Sequence, residues 1–212
     1  MRSLIFLLLF SSQAFAALSI RDLDGDWSNG HEGVYDDVLD ITWLADANLS
    51  SSNNYGHSFT QFGSHWNVAN NFIDSLNSIS YLGHDSWRLP GGSCQGSGCG
   101  ENIGYISDEL LFHHYQNFES LENSHMINGL NILNISLFSN VQSHYWTSTK
   151  HGYVSPIRYS WGGQNLVYIN GPSHTWPVHD GDIGLAPVPL PAGIYLFLSG
   201  LVGLGLLRGR NG

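Results

Sequence analysis

The clearest structural signal in the chain is the run of residues 34–44, which reads Val34-Tyr35-Asp36-Asp37-Val38-Leu39-Asp40-Ile41-Thr42-Trp43-Leu44. The run is rich in β-branched and aromatic residues, which are typical of strands. It therefore predicts two short strands joined by a turn near the start of the folded domain.

A polar loop and a helix are predicted next. Residues 48–55 are rich in Ser and Asn, which favours a loop. Ser64 can cap a helix, and apolar residues then recur at steps of four, four and three, which predicts one apolar helix face. The members of that face are Val68, Phe72, Leu76 and Ile79.

A second helix is predicted to begin at Ser107. Asp108 and Glu109 would lie in its first turn, where negative charge is favourable. The residues expected to face the core are Leu111, Tyr115 and Phe118.

The carboxy-terminal half has the composition of strands. Short aromatic or β-branched runs separated by Gly, Pro, Asn or Ser occupy residues 145–149, 157–161, 166–169 and 176–179. Helices in the middle and strands at both ends predict an α+β domain whose termini meet in an antiparallel sheet. Trp43, Trp87 and Trp146 stand beside apolar residues, so we expect them in the core.

The amino terminus has the order of features found in secretory signals. Met1-Arg2 is positively charged, residues 4–10 are apolar, and Ala14-Phe15-Ala16 has the small-x-small pattern of a cleavage site. We predict a signal peptide over residues 1–16 that signal peptidase removes, leaving Ala17 as the first residue. A buried amino-terminal helix is the alternative.

The carboxy terminus predicts a transient membrane segment over residues 187–212. Apolar residues 193–207 span roughly 22 Å as a helix, which is short for a bilayer core of about 30 Å, and arginines follow them. The preceding motif, with Pro189 and Pro191, resembles the VPLPA variety of the PEP-CTERM sorting signals, which exosortases of Gram-negative bacteria cut near the prolines. This resemblance implies an exported protein that is anchored transiently in the inner membrane and then reaches the surface or the medium.

The charge of the remaining domain, residues 17–186, limits its partners. It holds four Lys and Arg and all 17 Asp and Glu, which gives a net charge near −13. Such a surface repels nucleic acid and sulfated polysaccharides, and it favours divalent cations or uncharged ligands.

Four sequence blocks resemble the successive blocks of the Lcl carboxy-terminal domain family, formerly catalogued as a domain of unknown function. They are residues 34–48, 87–90, 145–149 and 176–182. The resemblance implies a fold similar to C-type lectins and formylglycine-generating enzymes, with two helices, small antiparallel sheets and long irregular loops. The founding member resembles a trimeric adhesin for sulfated glycans, but the acidic charge of this chain argues against that ligand.

Cys94 and Cys99 lie in a Gly- and Ser-rich run. In an exported protein they predict a local disulfide. The alternative is a pair of copper thiolates in an oxidase of the formylglycine-generating type.

Acidic residues at alternate positions, Asp22, Asp24 and Asp26, are similar to the start of a calcium loop. The rest of the calcium-loop pattern does not match, because the twelfth position, which should be Glu, is Gly33, and Glu32 lies one residue before it. The alternative is a solvated acidic loop that binds no ion. We therefore expect no cofactor, and calcium is the one ion that this loop is a candidate to bind. The histidines lack zinc spacing and the serines lack a nucleophile elbow, so we predict no enzymatic activity.

Aromatic residues among turns in the carboxy-terminal half form the candidate ligand surface, because such side chains and Arg are common at interfaces. They are Tyr153, Arg158, Tyr159, Trp161, Tyr168 and Trp176. The sequence thus favours a non-enzymatic surface or matrix protein with a lectin-like domain that binds a neutral glycan or another envelope component. The alternatives are the copper oxidase and a purely structural matrix protein.

Overall fold

The computed structural model describes residues 18–92, 108–121, 124–151, 155–160, 163–166 and 171–185, with the backbone alone for residues 150–166 within these ranges. The predicted signal peptide, the cysteine pair and the predicted sorting segment lie outside the described residues. The described part is an α+β structure in which helices pack with two small antiparallel sheets, as predicted.

The first sheet joins both ends of the described chain. Its strands are β1 (Leu18–Arg21), β2 (Gly33–Asp36), β3 (Ile41–Leu44) and β7 (Val178–Asp180), in the order β1-β2-β3-β7. All three pairings are antiparallel. The predicted hairpin over residues 34–44 and the meeting of the termini are therefore confirmed.

The turn between β2 and β3 is built by one buried carboxylate. Asp36 Oδ1 accepts hydrogen bonds from the backbone N–H groups of Val38 and Leu39. Asp40 closes the turn with φ 52°, a left-handed conformation that Asp tolerates better than most residues.

The helix α2 (Trp66–Ser78) matches the predicted first helix with two corrections. Its buried face includes Phe72 and Leu76, as predicted, but Ile79 follows the last helical residue and is 54% exposed. Ser64 is not the cap, because its backbone pairs with Ser173 in an isolated bridge. A long-range strand contact therefore holds Ser64 in place of the local cap, and His65 occupies the capping position.

The helix α3 (Glu109–Phe112) continues into a π-helical turn, His113–Asn117. The Asp108 side chain caps it by accepting a hydrogen bond from the backbone N–H of Leu111. Leu111 and Phe118 are fully buried, as predicted, and Tyr115 packs partly buried against the same core cluster. Two further single-turn helices, α1 (Leu49–Ser52) and α4 (Ile132–Ile135), lie in the connections.

The second sheet consists of β4 (His144–His151), β5 (Ser155–Ser160) and β6 (Gly163–Leu166), in that order and antiparallel. The strand predicted over residues 145–149 is confirmed, and the one predicted over residues 157–161 is confirmed as far as Ser160, since Trp161 lies outside the described residues. The third run differs, because β6 begins before Leu166 and residues 167–169 lie outside the described residues. Trp176 and Pro177 precede β7 and do not belong to it.

Tryptophans dominate both clusters of the core. Trp43 packs with Trp176 in the first cluster, their ring centroids 4.9 Å apart. Trp87 and Trp146 belong to the second cluster, beside α2. All four are at most 2% exposed, so the predicted burial of Trp43, Trp87 and Trp146 is confirmed.

Candidate functional site

The predicted ligand surface is only partly described. Tyr153, Trp161 and Tyr168 lie outside the described residues, and Arg158 and Tyr159 lie in β5, where the backbone alone is described. Their assignment as ligand-binding residues stays a prediction.

Trp176 is a correction to that surface. Its side chain is fully buried, its indole N–H donates to the Leu44 carbonyl at 2.8 Å, and its ring also packs against Phe138. A ring enclosed on these sides cannot stack on a sugar. Trp176 belongs to the core because residues 176–177 are hydrogen-bonded to Leu44 at the end of β3, just before the chain enters β7. The aromatic residue type alone therefore gave the wrong prediction.

The structure contains instead a polar groove of about 230 Å³ between α1 and the loop before α2. Amides and hydroxyls dominate its lining, with one aromatic ring. The lining residues are Asn48, Ser50, Ser51, Asn54, Phe59, Thr60, Gln61 and Gly63.

An adjoining cleft of about 420 Å³ continues from the polar groove, and Gln61 lines both. Its other lining residues are Phe62, Gln142, Ser143, His144, Pro172 and His174. The described lining of the groove and the cleft contains no Asp, Glu, Lys or Arg, in a chain of net charge −10. The groove and the cleft therefore offer uncharged amides and hydroxyls as hydrogen-bonding groups, and they share Gln61.

A tight turn places two side chains between the groove and the cleft. Thr60 and Gly63 exchange backbone hydrogen bonds of 2.9 and 3.0 Å, which puts Gln61 and Phe62 at the tip. Gly63 has φ +94°, and a Cβ there would lie 2.1 Å from the Ser173 carbonyl oxygen. Only glycine permits this approach, so the turn is pressed against residues 173–174 and leaves Phe62 63% exposed.

The floor of the groove is a neutral hydrogen-bonded pair. Asn48 Oδ1 accepts a hydrogen bond from the Ser50 hydroxyl at 3.2 Å and lies 3.3 Å from His174 Nδ1. Burial, together with the nearby His144, lowers the pKa of His174 to about 4. His174 is therefore uncharged near neutral pH, and the site presents no fixed charge on this side.

Phe59 supplies the aromatic wall of the groove. Its half-buried ring packs edge-to-face on Phe72 of α2, with ring centroids 5.4 Å apart. The contact with the core fixes the orientation of the ring, and a fixed aromatic ring can stack on the apolar face of a pyranose.

The acidic loop between β1 and β2 brings together a different set of carboxylates from the predicted one. Oxygens of Asp22, Asp24 and Glu32 all lie within 4.8 Å of one another. Asp26 lies outside this cluster and accepts the Ser28 N–H at the start of a short 3₁₀ helix, Trp27–Asn29. The hydrogen bonds from Ser28 lower the pKa of the exposed Asp26.

His113 is a fully buried histidine of the core. Its ring stacks on Trp43, with ring centroids 4.4 Å apart. The Asn117 amide donates to Asp36 Oδ2 at 2.6 Å and lies 2.8 Å from His113 Nδ1. Burial lowers the pKa of His113 to about 3, with a smaller contribution from His114. Asp36, Asn117 and His113 are all buried in the core, so this chain of polar groups gives no access to a substrate.

Sequence reasoning missed the polar groove. The sequence predicts a loop over residues 48–55, whereas the structure has the single-turn helix α1 within that range. The Asn, Ser, Thr and Gln content of residues 48–63 is the signal that could have indicated a sugar-binding surface. The second wall comes from residues 142–144 and 172–174, whose position depends on the pairing of Ser64 with Ser173.

In comparisons with known proteins, no family model, no curated protein and no solved structure matches this chain. In the part of the chain that the structure describes, no helix has both the length and the apolar character needed to cross a membrane.

Proposed function

We propose that the protein is an exported cell-surface or extracellular-matrix protein whose lectin-like domain binds a neutral glycan through the polar groove. The observation that carries the proposal is the absence of Asp, Glu, Lys and Arg from the described lining of the groove and of the adjoining cleft, which share Gln61. The described lining consists mainly of amides, hydroxyls and aromatic rings, together with His144 and His174. Burial lowers the pKa of His174 to about 4, so this side chain is uncharged near neutral pH.

This lining suits a polyhydroxylated ligand without charge. Sugar hydroxyls both donate and accept hydrogen bonds, as do the side-chain amides and hydroxyls of Asn48, Ser51 and Gln61. Phe59 and the exposed Phe62 add apolar surface for the C–H faces of sugar rings. A sulfated glycan would instead need basic side chains, and the acidic domain would repel it.

The architecture agrees with a C-type-lectin-like fold, which we propose on the resemblance of the four sequence blocks. Two small antiparallel sheets, α2, α3 and long irregular connections are the elements that this fold contains. The groove lies in the irregular connection between β3 and α2.

Export is proposed on the two termini. Signal peptidase would act before Ala17, and an exosortase-like enzyme would act near Pro189 and Pro191 after a transient stay in the inner membrane. The domain would then face a surface or matrix where neutral polysaccharides are present.

The test compares matched glutamine variants for binding to polysaccharide extracted from the extracellular matrix of the producing cells and separated into neutral and acidic fractions. Gln61→Ala removes an exposed amide shared by the groove and the cleft, and Gln116→Ala removes an exposed amide from the π-helical turn. We expect the neutral fraction to bind the parent protein and Gln116→Ala equally, and Gln61→Ala at least about fivefold more weakly, a loss on the order of one hydrogen bond. Equal binding by both variants, or retention of the acidic fraction alone, would contradict the proposal.

A further inference from the structure

We infer that Asp22, Asp24 and Glu32 form a divalent-cation site of the calcium class in the loop between β1 and β2. The site shares no residue with the polar groove or the adjoining cleft, and it does not depend on glycan binding.

The loop closes so that its two ends bring the carboxylates together. Glu32 donates its backbone N–H to the Arg21 carbonyl at 3.2 Å, at the base of the β1–β2 hairpin. The Leu23 N–H donates to Glu32 Oε2 at 3.0 Å, which turns the Glu32 carboxylate toward the start of the loop. Oxygens of the three carboxylates thus gather within 4.8 Å, a spacing that one bound cation can bridge.

The second observation is an unpartnered buried oxygen. Asp22 is 1% exposed, and its Oδ1 accepts hydrogen bonds from the backbone N–H groups of Gly25 and Asp26. Its Oδ2 is buried and has no hydrogen-bond partner among the described residues. A buried carboxyl oxygen without a partner is energetically costly, so Oδ2 is the Asp22 atom available to a cation in the cluster.

No basic side chain of the described residues neutralises the cluster. Arg21, the neighbour of Asp22 in sequence, directs its guanidinium to Asp182 and over the Tyr35 ring. Arg88 pairs with Glu109 and Asp180. Among the described side chains, Arg21 and Arg88 are thus both engaged by other carboxylates, which leaves the cluster open to a cation from solution.

The donor set selects the class of ion. Carboxylate oxygens are hard ligands that suit Ca²⁺ and Mg²⁺, and no thiolate or imidazole belongs to the cluster of described residues. Two oxygens bound to one Ca²⁺ at about 2.4 Å can be at most about 4.8 Å apart, and the three carboxylates satisfy this limit. The irregular loop can adjust to the flexible coordination of Ca²⁺ more readily than to the strict octahedron of Mg²⁺.

The position of the site gives the ion a structural role. Asp22 pairs its backbone with Leu185, the last described residue before the predicted sorting segment. Gly184, with φ +86°, allows this approach, since a Cβ there would lie 2.5 Å from the Asp22 carbonyl oxygen. A bound ion would therefore fix the point where the start of the domain meets the segment that leads to the carboxy terminus.

The experiment is calorimetric titration of Ca²⁺ and, separately, Mg²⁺ into the purified full-length chain after treatment with a chelator. We expect one saturable Ca²⁺ site with a Kd of about 10⁻⁴ to 10⁻³ M, the range of extracellular modules, and weaker binding of Mg²⁺. Absence of a saturable Ca²⁺ signal up to about 10 mM, or tighter binding of Mg²⁺, would overturn the inference.

Matched variants within the loop locate the ion. Asp24→Asn and Glu32→Gln should each weaken Ca²⁺ binding at least about tenfold, because each removes one charged ligand. Asp26→Asn, which changes a carboxylate outside the cluster, should keep the parent affinity within about twofold. Circular dichroism confirms that each variant is folded, and an equal loss in Asp26→Asn would show that general charge attracts the ion and would overturn the site.

Discussion

Arg21 and Asp182 form a bidentate ion pair that joins the end of β1 to the segment after β7. The Arg21 Nε donates to Asp182 Oδ1, and Nη2 donates to Oδ2 at 2.9 Å, across a sequence separation of 161 residues. The hydrogen bonds to Asp182 raise the pKa of Arg21 despite its partial burial. The ends of the folded domain are therefore held by side chains as well as by the sheet.

Asp182→Asn should lower the free energy of unfolding by about 1 kcal/mol, because Asp182 is partly exposed and water screens much of the attraction. The measurement is urea denaturation. Asp74→Asn, an exposed change on α2, serves as the control and should alter stability by less than about 0.5 kcal/mol. Equal effects of the two changes would show that the pair does not hold the termini.

Stability should fall below about pH 6.5 because buried histidines resist protonation. Burial lowers the pKa of His113 to about 3 and that of His174 to about 4, so both are neutral in the folded chain where the unfolded chain binds protons. Their contribution is complete above the unfolded pKa and is lost as the pH falls toward the folded values, by up to about 1.4 kcal/mol per pH unit for each group. Urea denaturation between about pH 7.5 and 4 measures this slope.

His113→Gln should make the dependence of stability on pH shallower, because it removes one of the buried groups that resist protonation. His114 and His125 also have lowered pKa values through burial and act in the same direction, so part of the slope should persist. Burial raises the pKa of Asp36, so its contribution is present at low pH and is lost as the pH rises through the folded value, which opposes the histidines. An unchanged slope in His113→Gln would mean that His113 is not the neutral core residue described above.

Gly63→Ala should lower the free energy of unfolding by about 2 kcal/mol or more and weaken glycan binding, because the new Cβ meets the Ser173 carbonyl oxygen. Gly83→Ala is the matched control, since Gly83 has φ +82° but nothing within 4 Å of its Cβ position. It should cost about 1 kcal/mol from backbone strain alone and leave binding intact. If both variants behave alike, the contact between the turn and Ser173 does not shape the groove.

Protein recovered from the surface or the medium should begin at or near Ala17 and should lack Arg210 where the strain has an exosortase. Intact-mass spectrometry of the recovered protein measures both ends. Retention of Met1 would refute the signal peptide, and retention of Arg210 would refute removal of the sorting segment.

The sequence predicted those parts of the fold that depend on local pattern. The hairpin of β2 and β3 follows from a run rich in β-branched and aromatic residues, and the burial of the tryptophans follows from their apolar neighbours. The helix face around Phe72 and Leu76 follows from helical spacing. The error at Ser64 has a long-range cause, because pairing with Ser173 replaces the local cap.

The candidate sites were harder to predict because distant segments build them. The groove and the adjoining cleft combine residues 48–63 with residues 142–144 and 172–174, and their contact depends on the glycine at position 63. Glu32 joined the acidic cluster through the pairing of β1 with β2, whereas the spacing of a calcium loop had pointed to Asp26. The residue type of Trp176 suggested a ligand contact, but its position in the fold buries the side chain in the core.

The central claim is that the domain binds neutral glycans through uncharged groups, and a glycan array containing neutral and sulfated oligosaccharides, read at about 50 and 200 mM salt, tests it most directly. We predict binding to one or more neutral glycans with less than about a twofold change in affinity between the two salt concentrations, and no binding of heparin, since few counterions are released. Binding restricted to heparin or other sulfated glycans and falling steeply with salt, or no binding to any glycan on the array, would contradict the account.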